Sequence, residues 1–397
     1  MRLREVGRGS VCAAAAIACL GAMPAAADPI DELIAGGEVS LELRMRLELV
    51  DEDSARRDAT GSTLRTRLSY RTGAVHGLRG FIEFDDLRAF TEDYDSGVNA
   101  RTQYAVIADP EGTELNQAYL DFSGWRDTTL RLGRQRIVLD NARFVGNVGW
   151  RQNEQTFDAI SVTSAPIDDT VLSYAYIGNI NTISGANIET RTHLFNGRYE
   201  GFAAGTLLGY AYLLDTARST DDSQTIGARF NGRHPFAGEN LALLFTAEAA
   251  WQREHADAPA TVDADYYLLD AGIAAAQTTL RIGRERLDGD GTYAFQTPLA
   301  TKHAFNGWAD RFLVTPLAGL VDDWIVVEAT RWGTKLALAY HDFSASHGDA
   351  DYGREFDLMA TRKFGGRYLA GAKYARYDAD SFSVDTDKFW LWVEATL

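Results

Sequence analysis

The sequence predicts an all-β fold, a transmembrane antiparallel up-and-down β-barrel of eighteen strands, with sixteen as the alternative count. Three observations predict it. First, Val39, Leu41, Leu43, Met45, Leu47 and Leu49 alternate with Ser40, Glu42, Arg44, Arg46 and Glu48. A strand turns successive side chains to opposite faces, so this segment has one apolar and one charged face. Second, the alternation persists. Leu64, Thr66, Leu68 and Tyr70 oppose Arg65, Arg67, Ser69 and Arg71, and at the end Phe389, Leu391, Val393, Ala395 and Leu397 oppose Lys388, Trp390, Trp392 and Glu394. Segments of about 9 to 11 residues with this pattern suit a barrel wall, lipid outside and water within. Third, Arg2, Arg4 and Arg8 precede an apolar run from Val11 to Leu20 and then Ala25-Ala26-Ala27. That is the form of a secretory signal peptide over 1–27, cut before Asp28.

The apolar run is too short to span a bilayer as a helix, and no later stretch reaches the roughly 18 apolar residues required. Strands must make any crossing. Cys12 and Cys19 lie in the leader, leaving the mature chain without cysteine, and Ala16-Ile17-Ala18 is a weak lipid-attachment sequence. Removing Arg2, Arg4, Arg8 and Glu5 takes 39 basic and 56 acidic residues to 36 and 55, and the formal charge from -17 to -19. Such a chain is no nucleic-acid binder. The 17 Tyr, 19 Phe and 8 Trp supply rings for two interfacial girdles.

In order, the candidate strands are 38–50, 62–72, 76–86, 113–123, 127–137, 155–164, 169–178, 190–200, 204–214, 223–233, 239–252, 263–275, 278–287, 323–332, 334–344, 353–364, 367–377 and 387–397. Those at 155–164 and 353–364 alternate weakly. Connections after even-numbered strands are short, such as 73–75, Gly333 and Gly365-Gly366, whereas those after odd-numbered strands run long at 87–112, 138–154 and 288–322. Short periplasmic turns and long extracellular loops have this asymmetry, which puts both termini in the periplasm. No linker interrupts the series, so 28–397 is one domain, and closure removes edges that lipid could not satisfy.

Strand parity selects the lumen residues. They are Glu42, Arg44, Arg46 and Glu48, then Arg65, Arg67 and Arg71, then Arg79, Glu83 and Asp85, with Arg131, Arg229 and Arg281 further on. An arginine on the lipid face near the midplane costs roughly 2 to 4 kcal/mol, so the placement is enforced. Lumen arginines bind carboxylates bidentately or pair with wall acids. The pore role is favoured for Arg44, Arg46, Arg65 and Arg67, the structural role for Glu42, Glu48 and Glu83.

LRLGRQRI at 130–137 recurs as LRIGRERL at 280–287. Arg134 and Arg284 share parity with lipid-facing leucines, so each lies above the hydrocarbon or follows a bulge, for which Gly133 and Gly283 are the obvious sites. Arg134, Arg136, Arg143 and Arg151 are expected at the constriction or its mouth. Trp150, Phe144 and Trp308 could face sugars, but packing of loops on the inner wall is the better expectation for these rings.

LRLGRQRIVLDNARFVGNVGWRQNEQTFDAISV at 130–162 resembles the alginate export family of outer-membrane porins, as do FQTPLATKHAFNGWADRFL at 295–313, YHDFSA at 340–345 and YARYDADSFSVDTDKFWLWVEATL from Tyr374. The resemblance implies an eighteen-stranded barrel that exports an anionic polysaccharide, alginate, through an arginine-rich pore of a Gram-negative outer membrane. Two positions depart from the family pattern: Gly365-Gly366 stands where a long periplasmic gating loop is expected, and the chain ends in Leu397 rather than an aromatic.

The leading functional expectation is therefore passive transport of an anionic polysaccharide or oligosaccharide; the alternative is a general porin for small carboxylates or oligosaccharide uptake. Expected partners are that substrate, outer-membrane lipid and lipopolysaccharide, the barrel-assembly machinery and a periplasmic export complex. No enzyme is expected, because no Gly-x-Ser-x-Gly, phosphate loop or metal pair at helical spacing occurs. No cofactor or metal is expected either: His341, His347, Asp349 and Asp351, and Asp288-Gly289-Asp290-Gly291, do not complete a calcium loop.

Overall fold

A computed structural model describes residues 29–217, 221–236, 240–259 and 261–397; the expected leader, 1–27, lies outside them. A short helix, α1 (Pro29–Ala35), precedes β1 (Glu38–Glu52), β2 (Ala59–Arg71), β3 (Leu78–Ala89), β4 (Gly112–Trp125), β5 (Thr128–Gln135) and β6 (Thr156–Ile167). The wall continues as β7 (Thr170–Asn181), β8 (Asn187–Phe202), β9 (Gly205–Leu214), β10 (Ser223–Pro235), β11 (Leu241–Arg253) and β12 (Asp263–Ala275). It ends with β13 (Thr278–Leu287), β14 (Leu320–Arg331), β15 (Thr334–Ser344), β16 (Asp351–Phe364), β17 (Tyr368–Ala379) and β18 (Thr386–Thr396). Each strand pairs with its sequence neighbours, and β1 pairs antiparallel with β18, closing an 18-stranded barrel. The eighteen-strand expectation holds, and closure leaves no strand edge unpaired.

Alternation decides which face meets what. Leu68, Leu120, Leu132, Leu269, Ile282 and Val393 are exposed on the outside, where lipid covers them. Trp125, Phe202, Phe236, Trp332, Phe364 and Tyr368 ring the end with short turns, while Trp251, Tyr267 and Tyr340 lie nearer the other end. These rings form the interfacial girdles.

The inner face is not uniformly wet. The connections 90–111, 136–155 and 288–319 fold back into the barrel and pack against the wall. Val145, Phe295, Leu299 and Phe312 from two of these loops share a buried apolar cluster with wall residues Tyr210, Tyr266, Phe343, Tyr377, Trp390 and Trp392. Loop 90–111 adds a smaller cluster, with Tyr94, Ala105 and Ile107 against Val50 and Ala59.

Of the two placements open to Arg134 and Arg284, the one that needs a bulge at Gly133 or Gly283 does not occur. Neither glycine carries a register shift. Within the wall, shifts lie instead between Glu83 and Phe84 on β3, where Asn116 is the extra residue of β4, beside Gly178 on β7, and between Phe343 and Ser344 on β15, where Tyr352 is the extra residue of β16; others sit beside short turns. The glycines serve close approach. Gly133 has φ +125, and a Cβ there would lie 2.3 Å from the Ala118 carbonyl oxygen; at Gly283 it would lie 2.3 Å from the Trp324 ring.

Candidate functional site

The site is where the three loops meet the lumen wall. On β1 and β2 the inward arginines bind loop backbone. Arg44 Nε donates to Gln152 Oε1 at 2.7 Å and Nη1 to the Gly149 carbonyl at 3.2 Å, while Nη2 reaches the Arg151 carbonyl. Arg46 donates to the Trp150 carbonyl at 2.6 Å and pairs with Asp109 of loop 90–111. Arg65 reaches the Gln152 carbonyl at 3.5 Å and Glu42 at 3.7 Å. Arg67 makes a two-point pair with Asp85, at 2.7 and 2.6 Å, and meets Glu154 at 2.8 Å. A guanidinium offers five donors in one plane, enough to hold a carboxylate and several carbonyls at once.

Loop residues return the interaction. Arg151 pairs with Glu48 and with Asp310, each at 3.1 Å, joining loops 136–155 and 288–319 to the wall. Arg136 binds Glu154 and Glu83, each at 2.6 Å. Burial alone would raise the Glu154 carboxyl, but the Arg136 hydrogen bond and the Arg67 charge outweigh it and hold it at about 2. Asp109 is likewise held down, burial being overcome by Arg46 and Arg151.

The wall of β13 to β16, beyond β17 and β18 in the ring, is acidic. Arg143 donates to both Glu285 oxygens, at 2.7 and 3.2 Å, and to Asn306 Oδ1 at 3.0 Å. Asn306 Nδ2 donates in turn to Glu285 at 2.6 Å and to Asp322 at 3.1 Å. The Ala309 amide donates to Glu355 at 2.7 Å. Gly307, at φ +82, lets the loop reach that carboxylate, since a Cβ there would sit 2.3 Å from Glu355 Oε2.

Between the walls lies Lys373 of β17. Its Nζ is 3.7 Å from the Trp308 ring centroid, 4.4 Å from that of Trp150 and 2.8 Å from His303 Nε2. An ammonium has no acceptor, so His303 Nε2 is the bare nitrogen and Nδ1–H donates to Asp310 at 2.7 Å. Burial pushes the His303 imidazole down to about 3, against the pull of Asp310. Trp150 stacks on His303 with ring centroids 4.8 Å apart and edges onto Trp390 and Trp392, whereas Phe144 sits among Tyr210, Tyr212, Tyr266 and Phe295. The packing expected of these rings is what the structure has.

The expected arginines therefore divide. Arg44, Arg46, Arg65, Arg67, Arg143 and Arg151 are buried and engaged by the loops. Arg131, stacked 3.9 Å from the Tyr119 centroid and paired with Asp121, and Arg136 are partly exposed beside Ser161, Thr163 and Ser173 in a cavity of about 250 Å³. Arg229 and Arg281 line a second cavity of about 440 Å³ with the carboxylates of Asp270, Glu285, Asp322 and Glu328. Arg71 is exposed near the short-turn end, over Phe81. Arg134 corrects an expectation: without a bulge it keeps leucine parity, pairs with Asp158 at 2.7 Å on the outer face and does not join the constriction. Sequence reasoning passed over Asp109, Gln152, His303, Asp310 and Lys373. Only Lys373 had a signal, as a charge at inward parity between Gly371 and Ala375. Among the described residues, no group of three or more His, Cys, Asp or Glu is placed to hold a metal ion.

A sequence model described as alginate export matches residues 37–288, more than half of the chain. The chain belongs to the alginate export family. Its fold is that of outer-membrane porins: OccK9 (OpdG) of Pseudomonas aeruginosa aligns with a TM-score of 0.74 at 15% identity, covering 92% of this chain and 99% of that one. The P. aeruginosa structure of OpdK with vanillate gives 0.73 at 14%, with coverage of 92% and 99%; OccAB3 of Acinetobacter baumannii gives 0.74 at 14%, with 92% and 100%. No curated protein matches in sequence. This family member is an integral outer-membrane porin, and two of its family-like strings, 130–162 and 295–313, lie in the loops that meet at Lys373. The second string lies beyond the matched span.

Proposed function

We propose that this porin passes small carboxylated solutes by diffusion, with Arg71, Arg131, Arg136, Arg229 and Arg281 as the cations that solutes touch. The observation that carries the reading is the hydroxyl-rich cavity beneath loop 136–155, where Arg131 and Arg136 stay partly exposed. A fixed guanidinium beside neutral hydroxyls binds a carboxylate without trapping it, as conduction requires. Arg44, Arg46, Arg65, Arg67, Arg143 and Arg151 serve transport by holding the loops that set the aperture. Family membership favours a second reading, passage of an anionic polysaccharide such as alginate. Cavities of about 250 and 440 Å³ suit solutes of a few rings at most, so a polymer would need loops 136–155 and 288–319 to leave the lumen. Docking of a periplasmic export complex belongs to that second reading.

Planar-bilayer recording tests the proposal. The reconstituted porin is expected to favour anions, and Arg131→Gln with Arg281→Gln to lower the anion-to-cation permeability ratio about two- to fivefold. Cation selectivity of the unaltered channel would overturn it.

A further inference from the structure

A third cavity, of about 300 Å³, opens above the inserted loops at the long-loop end, bounded by Glu52 at the upper end of β1 and by Lys388 near the start of β18. Its chemistry differs from that of the two below. Three loops bring aliphatic groups to it: Val106 from 90–111, Val148 from 136–155, and Pro298 and Leu313 from 288–319. Val106 and Leu313 are exposed, as are Val314 and Leu317 close by in the same loop. Water-facing aliphatic carbon gathered at a concave mouth favours a ligand with an apolar body.

The cations at its floor are not equivalent. Arg311 is paired with Glu52 at 2.5 Å, Lys388 with Asp310 at 3.0 Å, and Arg151 with Glu48 and Asp310. Lys302, on the short 3-10 turn Lys302–Ala304, uses its carbonyl to accept from the Phe305 amide, while its ammonium lies in no hydrogen bond or close ion pair among the described residues and feels the Asp221 carboxylate only through longer-range attraction. It is the ammonium available to an incoming anion, at the edge of an aliphatic wall. A sugar acid turns hydroxyls to every side and would leave that wall wet, whereas an aromatic or branched aliphatic acid covers it and keeps its carboxylate on Lys302.

We propose that this vestibule is a capture site for small carboxylates with an apolar body, such as an aromatic monocarboxylate, and that Lys302 is the residue that binds the carboxylate. The inference rests on the anion-channel reading above and narrows it to a substrate class. Capture precedes passage. The acid is concentrated at the long-loop mouth, and the hydroxyl-rich cavity beneath is reached only afterwards.

Benzoate and glucuronate, each added to one side of a bilayer holding the full-length porin, provide the test. Benzoate is expected to interrupt the current at concentrations about tenfold lower than glucuronate, and only from the long-loop side. Lys302→Gln is expected to raise the benzoate concentration needed by about tenfold, and Leu313→Ser to raise it about threefold while leaving glucuronate unmoved. Heat-modifiable electrophoretic mobility reports whether each variant is a closed barrel; if Lys302→Gln fails that check, Leu313→Ser alone decides. Equal sensitivity to the two acids, a glucuronate preference, or interruption from the short-turn side overturns the capture site while anion selectivity stands. Cation selectivity overturns the channel reading itself.

Discussion

The two lumen walls meet the same loops with opposite chemistry. On β1 and β2 the wall supplies guanidinium groups, and the loops answer with the carbonyls of Gly149, Trp150, Arg151 and Gln152 and the carboxylates of Asp109 and Glu154. On β13 to β16 the wall supplies Glu285, Asp322 and Glu355, and the loops answer with Arg143, Asn306 and the Ala309 amide. The loops thus meet a basic sector of the wall at β1 and β2 and an acidic sector at β13 to β16, with β17 and β18 between them. Arg44, Arg46, Arg67 and Glu285 are taken up by the loops and by wall partners, whereas Arg131 and Arg136 stay partly exposed at a cavity.

The comparison breaks most visibly at Arg46. Arg46→Leu leaves Asp109 buried with one cation fewer and orphans the Trp150 carbonyl, a loss of about 3 to 5 kcal/mol in loop docking. Hydrogen exchange of amides in 136–155 is expected to speed up sharply while the strands stay protected; unchanged exchange would mean that the basic wall is dispensable. Glu285→Gln keeps the shape of the acidic wall and removes its charge, so a smaller loss of about 1.5 to 3 kcal/mol is expected, read as increased open-channel current noise. A quiet trace would show that Arg143 finds another acceptor.

Acid gives the smallest and most graded effect. His303 is neutral when docked and held near 3, whereas the undocked ring titrates at its ordinary 6.5, so docking is fully stable above about pH 6.5 and weakens as pH falls toward 3. Glu154 acts in the same direction over a lower window: its contribution is complete above 4.5 and is lost as pH falls toward 2. Conductance measured from pH 7 to pH 4 is expected to become noisier, first through His303. A flat profile would separate docking from both groups.

Much of the barrel was legible because membranes enforce parity. Arg44, Arg46, Arg65 and Arg67 could point only inward, and the eighteen strands fall within a few residues of their expected bounds, even β6 and β16, whose alternation is weak. Of the two placements open to Arg134, above the hydrocarbon or after a bulge, the second fails because bulges follow local backbone geometry; the extra residue of β4 is Asn116, in a strand whose sequence carries no sign of it. The loop side of the site was out of reach for a different reason. Asp109, His303 and Asp310 come together only after three loops fold inward, and such tertiary placement has no sequence period. Lys373 could have been read as an inward charge, but its partners, two tryptophans from separate loops, could not.

The edge contacts between Trp150 and the tryptophans of β18 tie the loop to the closing seam. β18 zips onto β1, and β1 carries Arg44 and Arg46, which hold the same loop. One hydrogen-bonded seam therefore both completes the cylinder and supplies the surface on which its stopper rests.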